Sequence, residues 1–335
     1  MHRVSLFVVA LILGSRLPAQ QTTFSGPVEA LTFDAPTRSL RAVNGFPGSA
    51  SFGPALLDSL ELASVAPHQS YGIVFEHGKC LFVSGLGANR IATAPISGVA
   101  ALPDGIIWAA NGSLAVLYSR AAGWLQTIAG FPNAPIAEGR VDVSSLGGAL
   151  TAVAVDAAGQ QIAVSVSGDK GAVYQAGGGQ FTHLASMAKP VSLSFSSDGK
   201  TLYALDAASA EVTGVLLGNH GLQTLALPGI KNPIAIQSLE DSQNRQVLYI
   251  AAGSDRLVRI LDVANQQILT DVPLNFEPTG LDPFGSASFV LAYRSQSANP
   301  LWLFAASPQP GAYFVPAIQL RLPVRRTVAI DGRLR

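Results

Sequence analysis

A hairpin motif returns along this chain at nearly constant intervals, and that periodicity restricts the fold more than any other feature. Short apolar segments begin at Pro190, Pro233 and Pro278, which stand 43 and 45 residues apart, and at Ala149, 41 residues before Pro190. Each segment leads into a turn rich in Asp, Ser, Asn or Gly, residues whose backbones or side chains favour chain reversal. The segment after the turn is rich in Val, Ile, Leu and Tyr, as β-strands are.

Two further strands are predicted in each repeat. The third strands are expected at residues 172–175, 211–216, 256–261 and 301–304. The fourth strands are expected at residues 181–185, 222–227, 267–272 and 313–315. Four short antiparallel strands in a repeat of forty-odd residues is the pattern of a β-propeller blade, whose faces are buried only when blades stack.

The N-terminal part follows the same pattern less regularly. Units are predicted near residues 24–55, 56–95 and 96–135, and a loop at 133–148 joins them to the regular half. Their reversals are predicted at residues 34–37, 76–79 and 103–105. Seven units over residues 22–318 have about 42 residues each, a normal blade length. The sequence therefore predicts an all-β, seven-bladed propeller of four-stranded antiparallel blades, with six longer blades as the alternative.

The C-terminal tail is predicted to close the ring. Residues 320–335, LRLPVRRTVAIDGRLR, alternate in part between apolar and polar side chains and contain five Arg against one Asp. An open ring would expose an unpaired strand edge, so we expect a closing strand around 320–330 that joins the first blade. The alternative interpretation of the Arg residues is an anchor for an anionic surface.

The N-terminus is typical of a cleaved signal peptide at residues 1–19. Met1-His2-Arg3 precedes an apolar run at 4–14, which is too short to span a bilayer, and Leu17-Pro18-Ala19 offers a cleavage point. The alternative is an apolar N-terminal strand. We expect residues 20–335 to form a single propeller domain, exported to the periplasm or outside the cell, without a membrane span and as a monomer. The formal net charge is zero, which argues against a nucleic-acid partner.

The regular repeats resemble the YVTN-type propeller repeat of secreted bacterial proteins. The resemblance is carried by the strand that starts at Pro190, by the turn at 197–200 (SDGK), and by the next strand, which ends at Asp206; Ala252 departs from that last position. The clear copies run from Ala149 to about Ile318. The resemblance implies a propeller like those of lactonase-like enzymes, quinoproteins and many binding modules, and it implies a fold rather than an activity.

Motifs of catalysis or cofactor binding are missing from the sequence. It contains no G-x-S-x-G, H-E-x-x-H, G-x-x-x-x-G-K-[ST] or C-x-x-C pattern. Gly177, Gly178 and Gly179 are interpreted as a hairpin tip rather than a phosphate-binding loop. Cys80 is interpreted as a buried strand residue rather than a nucleophile. The acidic segment 240–244 lacks the ligand order of a calcium loop and is interpreted as a polar turn.

Two groups of side chains are the remaining candidates for chemistry. Carboxylates beside predicted inner strands are candidates for an acid–base pair: Glu29, Glu61 and Glu277. Charged partners that could join them at the channel mouth are His68, His77 and Arg294. Since no two of His68, His77, His183 and His220 have ligand spacing, no metal site is predicted. Aromatic candidates for ligand stacking are Tyr71, Trp108, Trp124, Phe131, Tyr293 and Trp302; core burial is favoured for each, least so for Trp124.

The sequence therefore predicts an exported propeller scaffold that binds a protein or carbohydrate partner through the loops of one face. No catalytic, cofactor-binding or metal-binding residue is assigned, no cofactor is expected, and the ligand-binding residues stay open. One alternative is a lactonase-like or other hydrolase whose residues are gathered from several blades at the central channel. Another is a structural repeat used in envelope adhesion.

Overall fold

The computed structural model describes residues 27–318 apart from 89, 100, 170, 242, 286, 287 and 308. The signal peptide predicted at 1–19 and the closing strand predicted around 320–330 lie outside these residues. The described residues form 28 β-strands and two single-turn 3-10 helices, at Ala35–Thr37 and Ser144–Leu146. They contain no helix long and apolar enough to cross a membrane.

The strands form seven antiparallel sheets in chain order, which are the blades of a propeller. Blade 1 consists of β1 (Val28–Asp34), β2 (Ser39–Asn44) and β3 (Ser51–Leu57). Blade 2 consists of β4 (Leu62–Val65), β5 (Tyr71–Glu76), β6 (Lys79–Ser84) and β7 (Ala92–Pro95). Blade 3 consists of β8 (Gly105–Trp108), β9 (Leu114–Ser119), β10 (Trp124–Ala129), β11 (Ile136–Ala137) and β12 (Val141–Asp142).

The four C-terminal blades have four strands each. Blade 4 consists of β13 (Ala149–Val155), β14 (Ile162–Ser167), β15 (Gly171–Gly177) and β16 (Gln180–Met187). Blade 5 consists of β17 (Pro190–Phe195), β18 (Thr201–Asp206), β19 (Glu211–Leu216) and β20 (Gly221–Ala226). Blade 6 consists of β21 (Pro233–Glu240), β22 (Gln246–Ala252), β23 (Leu257–Asp262) and β24 (Gln267–Pro273). Blade 7 consists of β25 (Asp282–Phe284), β26 (Ser288–Ala292), β27 (Leu301–Ala305) and β28 (Gly311–Val315).

The prediction of an all-β, seven-bladed propeller is confirmed, and the six-bladed alternative is wrong. The third and fourth strands predicted in the four C-terminal repeats are all present. Two local predictions are wrong. Residues 103–105 do not form a hairpin turn, because Gly105 begins the innermost strand β8. The segment 133–148 is not a plain loop, because β11 and β12 both pair with β10 there.

Apolar packing between neighbouring blades forms the core and completes the ring. Seven clusters of buried side chains each join two successive blades, and one of them joins blade 7 to blade 1 through residues such as Leu303 and Val43. Leu205 of blade 5 and Leu248 of blade 6 are fully buried in the same cluster. Each such side chain contributes about 1.5–3 kcal/mol relative to an exposed one. Shared faces therefore hold the blades together.

Each innermost strand starts at one face of the ring, here called the upper face, and ends at the lower face. The turn between the first and second strands of a blade lies at the lower face. The turn between its second and third strands lies at the upper face, as does the connection to the next blade. Side chains near the start of innermost strands and in the second-to-third turns therefore surround the upper mouth of the central channel.

Blade 1 differs from the other blades in phase. In blades 5 and 6 the second-to-third turn ends at a left-handed residue, Ala210 (φ 54°) or Arg256 (φ 53°). The carbonyl of that residue accepts a hydrogen bond from the amide that follows the fourth strand. Arg38 (φ 51°), between β1 and β2, accepts the same bond from Leu60. The strands β1, β2 and β3 therefore hold the second, third and fourth positions of blade 1. The unit predicted at 24–55 begins one strand late.

Candidate functional site

Carboxylates hold the upper-face turns of several blades in place. Asp206 of blade 5 accepts hydrogen bonds from the amides of Ala188 and Lys189, which precede β17, and of Ala208 in the following turn. In blade 6, Asp255 accepts the corresponding bonds from the amides that precede β21. A short acidic side chain suits this place because it can accept several backbone amides at once.

In blade 3 the arrangement is reversed, because Asp104 precedes the innermost strand and accepts hydrogen bonds from the turn that follows the second strand. One of its carboxylate oxygens accepts hydrogen bonds from Ser119 Oγ at 2.9 Å, from the Arg120 amide at 2.6 Å and from the Ala121 amide at 3.2 Å. Burial opposes the ionisation of Asp104, but these hydrogen bonds and the Arg120 charge outweigh it and lower the pKa of the carboxyl group. Asp104 is therefore a stably ionised group at the upper mouth.

A missing side chain at Gly105 lets an aromatic ring reach the channel. Gly105 on the innermost strand β8 pairs with Tyr118 on β9. A Cβ atom at Gly105 would collide with the Tyr118 ring and hydroxyl, so the ring lies across the innermost strand. The guanidinium of Arg120 lies 5.4 Å from the centroid of this ring. The pair places one aromatic face and one cation beside Asp104.

Blade 7 contributes two neighbouring groups, Asp282 and Tyr293. Asp282 begins the innermost strand β25 and Tyr293 follows the second strand β26, so both lie at the upper face. The two groups are close enough for each to affect the pKa of the other. Loss of hydration raises the pKa of Asp282, and the Arg120 charge and the Tyr293 hydroxyl offset this rise only in part. Loss of hydration, followed by the Asp282 charge, raises the pKa of Tyr293 well above its ordinary value.

The exposure of these two side chains shows that they lie in a channel. Tyr293 is 51% exposed and Asp282 is also exposed, while the protein around them is the largest cause of the raised pKa of each group. A side chain that is open to water and surrounded by protein on most sides lies in a concave mouth rather than on an outer edge. Such a site is accessible to a ligand, and its low local dielectric strengthens hydrogen bonds.

The groups of blades 3 and 7 face each other across the channel. Burial is the main cause that raises the pKa of Tyr118, and the charges of Asp282 and Asp104 add to it. The Arg120 charge acts on Asp282, and Tyr118 acts on Tyr293. Because blades 3 and 7 are not neighbours in the ring, these interactions cross the channel. We call the five residues Asp104, Tyr118, Arg120, Asp282 and Tyr293 the mouth cluster.

The mouth cluster combines the groups that polar, hydroxyl-rich ligands require. Two phenol rings offer apolar faces, and their hydroxyls donate and accept hydrogen bonds. Asp282 accepts, or donates when protonated, and Arg120 donates. The two carboxylates and one guanidinium give no cationic field that would select an anionic ligand. This chemistry suits recognition of hydroxyl groups.

The acidic, basic and histidine candidates named from the sequence are not brought together. Glu29 bonds Ser288 and Tyr313 between blades 1 and 7, and Glu61 accepts from the Gly78 amide. Arg294 is buried against Asp34. Within the described part of the chain, no hydrogen bond or ion pair joins two of the six candidates Glu29, Glu61, His68, His77, Glu277 and Arg294.

The aromatic candidates separate into core residues and one mouth residue. Tyr71, Trp124 and Phe131 are buried in the cluster between blades 2 and 3. Core burial is confirmed for Trp124 as well, although it was the residue for which burial was least favoured: its side chain is 2% exposed and the Arg140 guanidinium lies 5.1 Å from the ring centroid. Trp302 stacks on Phe276 with ring centroids 4.1 Å apart. Tyr293 alone of the six belongs to the mouth cluster.

Several minor predictions can be compared directly with the structure. Cys80 is buried in β6, and burial raises the pKa of its thiol to about 12, so the interpretation as a core residue is confirmed. Gly178 and Gly179 form the turn between β15 and β16 with positive φ, as a hairpin tip requires. Asp241 in the segment 240–244 binds the Arg245 side chain and amide, which confirms a polar turn.

The structure offers no clustered metal ligands among the residues it describes. No group of three or more His, Cys, Asp or Glu side chains is placed to hold an ion there. His183 lies on β16, where its ring contacts Tyr174 edge-on, and His77 and His220 occupy turns with positive φ.

Sequence reasoning missed four of the five residues of the mouth cluster. The sequence pattern predicts a hairpin turn at Asp104, Tyr118 and Arg120 lie at a strand end with no motif, and Asp282 begins a strand of only three residues. The Pro-Asp-Gly order at 103–105 indicates part of this cluster, because a Gly that pairs with an aromatic residue on the next strand leaves space for the aromatic ring.

Comparisons with known proteins assign no family to this chain, because no protein-family model and no curated protein matches it. A solved structure described as a nidogen/laminin complex is similar over 73% of this chain and 92% of that chain, with 14% sequence identity and a TM-score of 0.47. This degree of similarity carries no argument about function.

Proposed function

We propose that this protein is an exported binding propeller that holds a neutral oligosaccharide at the upper mouth of its channel. The observation that carries the proposal is the placement of the exposed Asp282 and Tyr293 of blade 7 at the upper mouth, across the channel from the Tyr118 ring and Arg120 of blade 3. Export is proposed from the leader at 1–19, and the mature chain is taken to be residues 20–335. The similarity of its repeats to the YVTN type is consistent with secretion.

The composition of the mouth favours a carbohydrate over a protein partner. Sugar rings offer C–H faces to aromatic rings and hydroxyls to carboxylates and guanidinium groups. Asp104 and Arg120 partly neutralise each other, which favours a neutral ligand over an acidic polysaccharide. A concave mouth with few convergent polar groups also fits a small ligand better than a broad, flat protein interface.

The proposal is tested by screening residues 20–335 against neutral and acidic oligosaccharides, with thermal shift as a second readout. A ligand at 100 times its Kd adds about 2.7 kcal/mol to stability. We expect a neutral oligosaccharide to bind, and we expect Tyr293→Ala and Asp282→Asn each to weaken binding at least about tenfold, the loss of one hydrogen bond to a charged group. Binding of acidic glycans only, or of a protein only, would contradict the proposal.

One observation favours hydrolysis as a second candidate function. The pKa of Asp282 is raised and that of Asp104 is lowered, the kind of separation found between a general acid and an ionised carboxylate. Three hydrogen bonds from its own blade hold one oxygen of Asp104 and favour its ionised form, so Asp282 is the candidate that would exchange a proton with a ligand. Release of reducing ends by the wild type, abolished in Asp282→Asn, would establish this function in place of simple binding.

A further inference from the structure

The upper edge of blade 7 carries aromatic side chains on its outer strands. Trp302 is the second residue of the third strand β27, and it pairs directly with Phe314 near the end of the fourth strand β28. The Trp302 ring stacks on Phe276, in the connection before blade 7, with ring centroids 4.1 Å apart. Its centroid also lies 5.4 Å from that of the Phe314 ring. We call Phe276, Trp302 and Phe314 the outer shelf.

Part of the outer shelf is open to solvent. Phe314 is 50% exposed, although phenylalanine is usually buried, and Trp302 and Phe276 are half-buried. Trp302 and Phe314 line a groove of about 640 Å³ together with Ser49 and Asn275. None of the described residues that line this groove is charged. An exposed apolar surface with a few polar groups is typical of a binding site.

The fold itself does not require aromatic residues at this place. In blade 6 the corresponding side chains are Arg259 on the third strand β23 and Asp271 on the fourth strand β24, which pair with each other. Arg259 donates to both carboxylate oxygens of Asp271 and to the Pro228 carbonyl in the connection before blade 6. An ion pair therefore suffices to hold the outer strands to the connection. The aromatic side chains of blade 7 need another explanation.

The outer shelf continues the line of the mouth cluster across blade 7. From the channel outward, Asp282 lies on the first strand and Tyr293 follows the second. Trp302 lies on the third strand and Phe314 on the fourth, both toward the upper face. Because neighbouring strands are about 4.8 Å apart, the edge from β25 to β28 spans about 14 Å. A chain of several sugar rings can therefore contact the mouth and the outer shelf at once.

We propose that the outer shelf is a second subsite for the same neutral oligosaccharide, where further sugar rings bind outside the channel. This inference rests on the proposed function of the mouth cluster. The aromatic faces of Trp302 and Phe314 suit the C–H faces of sugar rings. The exposed Ser49 hydroxyl and Asn275 amide suit the sugar hydroxyl groups. Since the described lining residues are uncharged, the groove favours a neutral glycan over an acidic one.

The experiment measures how affinity depends on oligosaccharide length. Titration calorimetry compares a disaccharide with longer members of the neutral series that residues 20–335 bind best, and we expect the longer members to bind more tightly. Phe314→Ala should weaken binding of the longer members about threefold to tenfold, the effect of losing one aromatic contact, and should leave disaccharide binding unchanged. Tyr293→Ala should weaken binding of every member.

Two further variants support the interpretation of this result. Leu222→Ala is the matched control, because Leu222 is an exposed apolar residue on the fourth strand of blade 5, and it should bind every member as the wild type does. Trp302→Ala should have the same effect on binding as Phe314→Ala. Thermal unfolding checks that the variants remain folded, and Phe314→Ala decides the outcome if Trp302→Ala does not fold.

The inference and the proposed function fail in different ways. If Phe314→Ala binds the longer members as tightly as the wild type does while Tyr293→Ala weakens all binding, the inference is overturned and the proposed function stands. Weakening by Phe314→Ala alone would support the outer shelf as a sugar site and contradict only the mouth. Failure of every neutral oligosaccharide to bind overturns both. A dimer of residues 20–335 that Phe314→Ala converts to a monomer would also overturn the inference, because a second copy would then cover the outer shelf.

Discussion

The two faces of the ring are stabilised in different ways. At the lower half, hydrogen bonds run from one blade to the next: Tyr71 donates to the Gly112 carbonyl at 3.0 Å, Asn111 to Ala158 at 2.9 Å, and Gln161 to Gly199 at 3.0 Å. At the upper face the carboxylates instead bond the turns of their own blade, as Asp104, Asp206 and Asp255 do.

This difference explains where a binding site can develop. A change in a lower-face turn disturbs two blades, because each of these turns is hydrogen-bonded to the next blade. A change in an upper-face loop disturbs only the blade that holds it. The mouth cluster lies at the upper face, where each blade contributes a loop that is stabilised on its own and can carry ligand-binding side chains on a rigid frame.

One pair of residues at the upper face is hydrogen-bonded between two blades. Arg294 of blade 7 donates two hydrogen bonds to Asp34 of blade 1, both at 3.0 Å, and both side chains are buried. Its Nε also donates to the Asn299 carbonyl at 2.9 Å, and its guanidinium lies 5.1 Å from the centroid of the Phe52 ring. The upper face is therefore linked across blades at the junction of the first and last blades.

The largest effect is expected from Arg294→Met. This change leaves the buried Asp34 with only Arg41, at 3.8 Å, as a charged partner, and should cost about 3 kcal/mol of unfolding free energy in chemical denaturation. Arg259→Met is the matched control, because Arg259 pairs with Asp271 inside blade 6 and Asp271 is partly exposed. We expect the control to cost about half as much or less. An equal loss of unfolding free energy in the two variants would show that the Arg294–Asp34 pair between blades 7 and 1 stabilises the ring no more than an ion pair within one blade.

A pair of tyrosine variants compares the two faces directly. Tyr71→Phe removes the donor to the buried Gly112 carbonyl and should cost about 1–2 kcal/mol of unfolding free energy without weakening ligand binding. Tyr293→Phe should change stability by less than about 0.5 kcal/mol, because its side chain is half exposed. It should weaken ligand binding. If Tyr293→Phe lost stability but bound the ligand as the wild type does, the assignment of ligand binding to the upper face would be wrong.

The smallest effect is a dependence of stability on pH that has opposite signs at Asp282 and Asp104. The pKa of Asp282 is raised, so the folded state holds its proton more tightly and stability falls as the pH rises from about 4 through the folded pKa. The pKa of Asp104 is lowered, so its contribution is present above about pH 4 and is lost as the pH falls through the folded pKa.

Urea unfolding between pH 3 and pH 8 measures both contributions. Relative to wild type, Asp282→Asn should become more stable as the pH rises, and Asp104→Asn should become less stable. The same sign of change in both variants would mean that the two carboxylates do not have different environments.

The sequence predicted the fold because the fold depends on local signals that repeat. Turn residues such as Asp198 and Gly199, flanked by β-branched and aromatic strands, recur with the length of a blade. The phase of blade 1 was missed although Asp34 followed by a turn resembles Asp206 followed by a turn. In blade 1 the aspartate, rather than the first strand in the sequence, marks the position of the second strand.

The mouth cluster depends on ring geometry that no local pattern records. Asp104 precedes an innermost strand and Asp282 begins one, and they come near the same ligand space only because blades 3 and 7 face each other across the channel. Asp282 belongs to no sequence motif, because strand β25 is short and the loop before it has no characteristic pattern. Tyr293 is among the aromatic candidates, but no local pattern separates it from the aromatic residues that pack in the core.

The most direct test of the binding face is hydrogen–deuterium exchange of residues 20–335 with and without the best-bound neutral oligosaccharide of the screen. We expect added protection at the upper-face segments 104–105, 118–122, 282 and 293–294, and unchanged exchange in the lower-face turns at 109–113 and 156–161. Protection confined to the lower face or to the outer strands, or no neutral oligosaccharide bound at all, would contradict a ligand site at the upper mouth of the channel.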